Sequence, residues 1–171
     1  MTSNIVNITR YLWEIGQLSE SFERLITAER LCAETVGLNS LEAARIYVVR
    51  GNIYAHQNKW KEAGEMYNKG LKIRQDLLSE ENQILANSYM QMGNFYTSQS
   101  RLEEAILAHT KAINIRKRTY EMAPGQMLIS YLNYSRCLLE AKRLEDAEVA
   151  VRKAQRCEKD IEPQPDVLAT A

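Results

Sequence analysis

The sequence predicts an all-α protein assembled from about four antiparallel helical hairpins. Three observations carry that prediction. A motif recurs at a fixed step, Gly51-Asn52-Ile53-Tyr54 returning as Gly93-Asn94-Phe95-Tyr96 after 42 residues. Apolar residues inside each copy follow a helical period rather than strict alternation. Seven Gly and three Pro in 171 residues supply too little turn material for a many-stranded sheet.

The same step of 42 carries Ala63 to Ala105, Gly70 to Ala112, Ile73 to Ile115, Arg74 to Arg116 and Tyr89 to Tyr131. Run backwards it aligns Tyr54 with Leu12, Trp60 with Leu18 and Gly70 with Ala28. The two inner copies are close and the outer two have drifted, as expected of repeats that have each lost one neighbour. The pattern places repeats at about 1–38, 39–79, 80–122 and 123–161, a single array over 1–161, with a flexible tail at 162–171 carrying Pro163 and Pro165. Helix pairs are predicted near 3–15 and 18–36, 40–57 and 59–78, 80–99 and 101–121, and 125–141 and 143–161. The gaps are short enough to force antiparallel neighbours.

Each element has its own signal. The first helix is apolar on several sides (Ile5, Val6, Ile8, Tyr11, Leu12, Trp13, Ile15) and lacks the polar face of an outer cap. It is therefore expected to pack on an upstream domain or on another copy of the chain. The second starts at Leu18, aligned with Trp60. Ser40 and Ser79 are candidate starts for the third and fifth helices, and Asn58 precedes the fourth. Ser100 with Glu103 has capping-box spacing for the sixth, and Pro124 suits the first turn of the seventh. The eighth sets Glu145, Glu148, Arg152, Gln155, Arg156 and Lys159 opposite Leu144, Ala147, Val151 and Ala154. Between paired helices, Gly51 and Gly93 are expected to face Ala63 and Ala105, with Tyr54 and Tyr96 filling the space one turn on.

A small residue followed three positions later by Tyr, then Ala and a second small residue on the next helix, resembles the tetratricopeptide repeat. The residues that match are Gly51, Tyr54, Ala63, Tyr67 and Gly70, then Gly93, Tyr96, Ala105 and Ala112. The usual period is about 34, so each unit here is about eight residues longer. Such long repeats look like those of kinesin light chains and of fungal signalling ATPases of the NB-ARC/STAND type. The resemblance implies a right-handed α-solenoid that binds a peptide or partner helix in a concave groove lined by the first helices. The residue after the small position then faces the groove, giving Arg10, Asn52, Asn94 and Arg136. Trp13, His56, Asn87 and Asn133 lie about a turn away. An Asn amide can bond a peptide N–H and C=O together, and Arg offers a fork for a carboxylate. A few such contacts, less the ordering cost, support micromolar binding, about −8 kcal/mol.

The leading functional reading is therefore a non-catalytic cytoplasmic adaptor for a protein or peptide. Alternatives are a sensor array of, or derived from, a signalling ATPase and a module that self-assembles through its first helix. Lys plus Arg and Asp plus Glu both total 22, which leaves no net field for nucleic acid or an anionic membrane. No apolar run approaches the roughly 20 residues that span a bilayer. Cys32, Cys137 and Cys157 have no paired spacing and are expected to be reduced, partly buried side chains. His56 and His109 are far apart in sequence, with no metal or nucleophile constellation around them, and His109 is expected in the core. The basic run Lys111, Arg116, Lys117 and Arg118 is expected on a solvated face. No cofactor is expected.

Overall fold

The computed structural model describes residues 2–118 and 123–161, apart from the side chains at positions 2, 3, 10, 13, 14 and 18. These residues form eight α-helices and no strand: α1 (Thr2–Glu14), α2 (Leu18–Thr35), α3 (Leu41–His56), α4 (Trp60–Leu77), α5 (Gln83–Ser98), α6 (Leu102–Lys117), α7 (Pro124–Glu140) and α8 (Leu144–Ile161). Each odd-numbered helix pairs with the next even-numbered one. Contacts divide the chain into two compact units, Met1–Ser79 and Glu80–Ala171, at an expected repeat boundary. The expected tail at 162–171 and the end of the sixth helix beyond 118 lie outside the described residues.

One local device makes every hairpin. Gly16, Asn58, Ser100 and Lys142, each one step of 42 from the next, all adopt left-handed backbone, with φ of 84°, 59°, 57° and 58°. That residue ends the first helix and lets the next N–H reach back five positions. The bonds are Gln17 to the Leu12 carbonyl at 2.8 Å, Lys59 to Tyr54 at 2.9 Å, Arg101 to Tyr96 at 3.0 Å and Arg143 to Leu138 at 2.9 Å. Asn58 and Ser100 are therefore helix terminators rather than the N-caps their residue types suggested. Lys59 and Arg101 hold the cap positions and make no side-chain cap bond. Ser79 is also displaced from its expected role: α5 starts later, capped by Asn82, whose Oδ1 accepts from the Ile84 N–H at 2.9 Å. Ser40 does cap α3, accepting from the Ala43 N–H at 3.2 Å, and Pro124 opens α7.

In the first unit the core is Val6 of α1, Leu25, Ala28 and Cys32 of α2, and Ala43, Ile46, Val49 and Ile53 of α3. Leu25 and Ile53 are fully buried, each a contribution of about 1.5–3 kcal/mol. In the second unit Ile113, Met127, Tyr131, Ala154 and Cys157 form one cluster, and Leu138, Ala147 and Ala150 another. All three cysteines are free and buried.

The expected pairing of glycine with alanine is only part of the hairpin contact. Ala63 and Ala105 are fully buried, but the group lying on each glycine is a ring. A Cβ on Gly51 would sit 2.7 Å from the Tyr67 ring, and one on Gly93 2.6 Å from the His109 ring. The first helix gives up its side chain so that an aromatic ring from the second can lie on its backbone.

Candidate functional site

In the first unit the first helices are α1 and α3. The side chains of Arg10 and Trp13 lie outside the described residues. Asn52 is half-buried, and its Oδ1 accepts from the Tyr67 hydroxyl at 2.8 Å, so its carbonyl serves the hairpin. Burial pushes the Tyr67 phenol up to about 12, which keeps it a hydroxyl donor. His56 is exposed in the last turn of α3. Arg45 of α3 donates to Asn7 Oδ1 of α1 at 2.9 Å and ties the two helices together across their faces.

In the second unit α5 and α7 present Asn87, Asn94, Asn133 and Arg136. Asn94 and Arg136, successive copies of one repeat position, are both exposed, and neither makes a hydrogen bond or ion pair among the described residues. Around Arg136 the same face of α7 exposes Ile129, Leu132 and Leu139 at 49–56%. Their spacing of three, four and three residues puts them with Arg136 on one stripe. Asn133 is half-buried beside it. Asn87 is exposed but engaged, its Oδ1 accepting from the Arg116 guanidinium at 2.6 Å.

Arg116 was not legible as a structural residue. It is buried, at 8% exposure, rather than on a solvated face. From α6 it donates to Asn87 of α5, to the Gln126 carbonyl at 2.8 Å and to the Ser130 hydroxyl of α7. One guanidinium thus fixes the spacing of the two helices that carry Asn94 and Arg136. Burial lowers its pKa, yet an arginine keeps its charge under ordinary conditions. Arg74 is its copy in α4, also buried. The usable signal was the recurrence of Arg at the 42-residue step, which a solvated position would not require.

His109 is fully buried, as expected. Neither ring nitrogen has a hydrogen-bond partner, and the ring lies 6.4 Å from that of Tyr134 with a 56° tilt. Burial, with the nearby Arg136 charge, pushes its imidazole down to about 4, so it is neutral at pH 7. Groups of three or more metal-ligating side chains do not occur among the described residues, and no described helix is long and apolar enough to cross a membrane.

Paired helices at a constant step, left-handed hairpin turns and ring-on-glycine packing define a TPR-like helical-repeat protein of the α-solenoid class. Residues 34–124, more than half of the chain, match the family model for soluble NSF attachment protein, SNAP, a family of TPR-like helical repeats, and the chain belongs to that family. Solved structures that share the fold include the following three. BtubC (BKLC) from P. vanneervenii is 23% identical with a TM-score of 0.86, covering 99% of this chain and 69% of that one. A structure of nearly identical TPR-like repeats from Podospora anserina, described as kinesin light chain, is 16% identical with a TM-score of 0.81 over 94% of this chain and 76% of that one. MamA is 17% identical with a TM-score of 0.67, covering 96% and 79%. No curated protein matches the chain in sequence.

Proposed function

We propose that this chain is a non-catalytic cytoplasmic scaffold that holds a peptide or partner helix against the exposed faces of its first helices, with α5 and α7 as the principal contact. The observation that carries this reading is the pair Asn94 and Arg136. These are polar groups at one repeat position, open to solvent and without a hydrogen bond or ion pair among the described residues, on helices whose spacing Arg116 sets. Exposed polar side chains with no internal partner cost nothing to leave in water and gain when a peptide supplies the bond. Ile129, Leu132 and Leu139 supply the apolar area that hydrogen bonds alone lack. Three free buried thiols fit a reducing compartment.

Asn52 supports this reading less, because its carbonyl already holds Tyr67. The test therefore leaves it intact. Peptides selected from a random library on the wild-type chain are titrated against Asn94→Ala/Arg136→Ala by calorimetry. An affinity loss of about tenfold or more is expected, from one hydrogen bond and one charged bond. Equal affinity for the double variant would remove α5 and α7 from recognition.

A further inference from the structure

The first unit carries a cleft of about 560 Å³ between the α2–α3 connection, α3 and one face of α4. Its apolar side is Leu38 of the connection, Tyr47 of α3 and Ile73 of α4. Tyr47 and Ile73 are half-buried against the core of that unit, and Leu38 is 44% exposed. The backbone that presents Leu38 is held on both sides. Gly37, at φ 82°, closes α2 by donating its N–H to the Cys32 carbonyl at 2.8 Å. The Ser40 hydroxyl, which caps α3, donates to the Gly37 carbonyl at 2.7 Å. Polar groups come from successive turns of α4, where Glu65, Asn68, Lys69 and Lys72 share one stripe with Ile73. Glu65 and Asn68 make no hydrogen bond or ion pair among the described residues. The Lys69 ammonium lies over the Tyr47 ring, 5.9 Å from its centroid, and has no carboxylate partner among them. The ring holds that cation in place without neutralising it. Lys72 pairs with Asp76 at 2.9 Å, but both are exposed, and an exposed pair at that spacing gives up its partner at little cost.

The Lys-over-Tyr pair belongs to the repeat, whereas the residues around it change. Lys111 lies over Tyr89 at 5.3 Å and Lys153 over Tyr131 at 5.8 Å, each one step of 42 further on. One step on from Leu38 and Lys72 stand Glu80 and Asn114, an acid and an amide in place of an aliphatic side chain and a second cation. We infer that the first-unit cleft binds a linear peptide segment in which an aliphatic and an acidic side chain are neighbours. The aliphatic group rests on Leu38, Tyr47 and Ile73, and the carboxylate lies between the Lys69 and Lys72 ammoniums. A concave, largely apolar lining with a few converging polar groups is what such a site requires. The order of charge along α4 sets the direction of the segment: Glu65 repels a carboxylate, and the two ammoniums one to two turns on attract it. Asn68, between them, offers a donor and an acceptor to the peptide backbone. This contact uses neither Asn94 nor Arg136.

The probe is the capped peptide acetyl-Ala-Leu-Glu-Ala-amide, titrated into the isotopically labelled full chain while backbone amides are followed. Two control peptides carry Gln in place of Glu or Ala in place of Leu. The probe should shift the amides of Leu38, Tyr47, Lys69 and Lys72 with a Kd of about 1 mM, and leave those of Tyr89 and Lys111 unmoved. Each control should bind about fivefold more weakly or worse. Lys69→Gln/Lys72→Gln should erase the preference for Glu over Gln and keep that for Leu over Ala, and Leu38→Ser should do the reverse. All three side chains are exposed, so helicity should not change. No shift on α4 at about 10 mM probe, equal affinity for the Glu and Gln peptides, or an undiminished Glu preference in the double lysine variant would overturn the inference. Asn94→Ala/Arg136→Ala should bind the probe as the wild type does. Shifts on α5 and α7 in place of α4 would remove this site and leave the reading of those helices standing.

Discussion

The hairpins α3–α4 and α5–α6 follow one plan at the same 42-residue step, yet they complete it differently. In the first, the Tyr67 ring lies on Gly51 and its hydroxyl reaches Asn52. In the second, the shorter His109 ring lies on Gly93, both nitrogens are left without a partner, and the adjacent Asn94 stays exposed and uncommitted. The contrast shows how one framework position can serve packing in one copy and solvent-facing chemistry in the next. Where the ring carries a hydroxyl, the neighbouring amide is drawn into the hairpin. Where it does not, the amide is available to a partner, and the hairpin holds a buried base instead.

The largest expected effect concerns that base. His109 in the folded chain titrates at about 4, below its ordinary 6.5, so the unfolded chain takes up the proton first as pH falls. The second unit is fully stabilised by the neutral ring above about pH 6.5 and loses that stability as pH drops toward 4, by about 3 kcal/mol in all. Carboxylates titrate in the same range, so the informative quantity is a difference. His109→Tyr, which copies the Tyr67 arrangement, should match or exceed wild-type stability at pH 7 and should be less sensitive between pH 6.5 and 4. Urea unfolding at several pH values measures it, and parallel pH profiles for the two proteins would show that His109 is not the acid-sensitive group.

Next come the glycines. Gly51→Ala and Gly93→Ala each drive a methyl into a buried ring at 2.6–2.7 Å and should cost about 1–3 kcal/mol in thermal or urea unfolding. Pairing Gly93→Ala with His109→Ala should recover part of the loss, since the two changes share one contact. The amides separate the two hairpins further. Asn52→Ala removes an acceptor from the Tyr67 hydroxyl and should cost about 1 kcal/mol, whereas Asn94→Ala should stay within about 0.5 kcal/mol. The turns should respond in the opposite direction. Ser100→Gly and Lys142→Gly relieve left-handed backbone at a non-glycine residue and should stabilise by up to about 1 kcal/mol, while Gly16 already holds the favourable residue.

The helical class, the number of hairpins and their approximate limits were legible because period and step are properties of residue order alone. The turns were less so. Asn58 and Ser100 favour both N-caps and left-handed helix ends, and only the backbone path decides between them. Of the residues at and near that repeat position, Asn94 and Arg136 are exposed, whereas Asn52 and Asn87 accept hydrogen bonds from Tyr67 and Arg116. Sequence spacing places such groups near the surface without revealing which will find an internal donor. The apolar stripe on α7 was also hidden: Met90 and Thr97, the α5 counterparts of Leu132 and Leu139, are buried, so the pattern looks the same whether or not it is covered.

The proposed contact is tested most directly by titrating a selected peptide into the isotopically labelled chain and following each backbone amide. Shifts should concentrate on α5 and α7 around Asn94, Leu132 and Arg136, and leave the polar face of α8 at Glu148 and Gln155 unmoved. Shifts confined to α6 or α8 would contradict it.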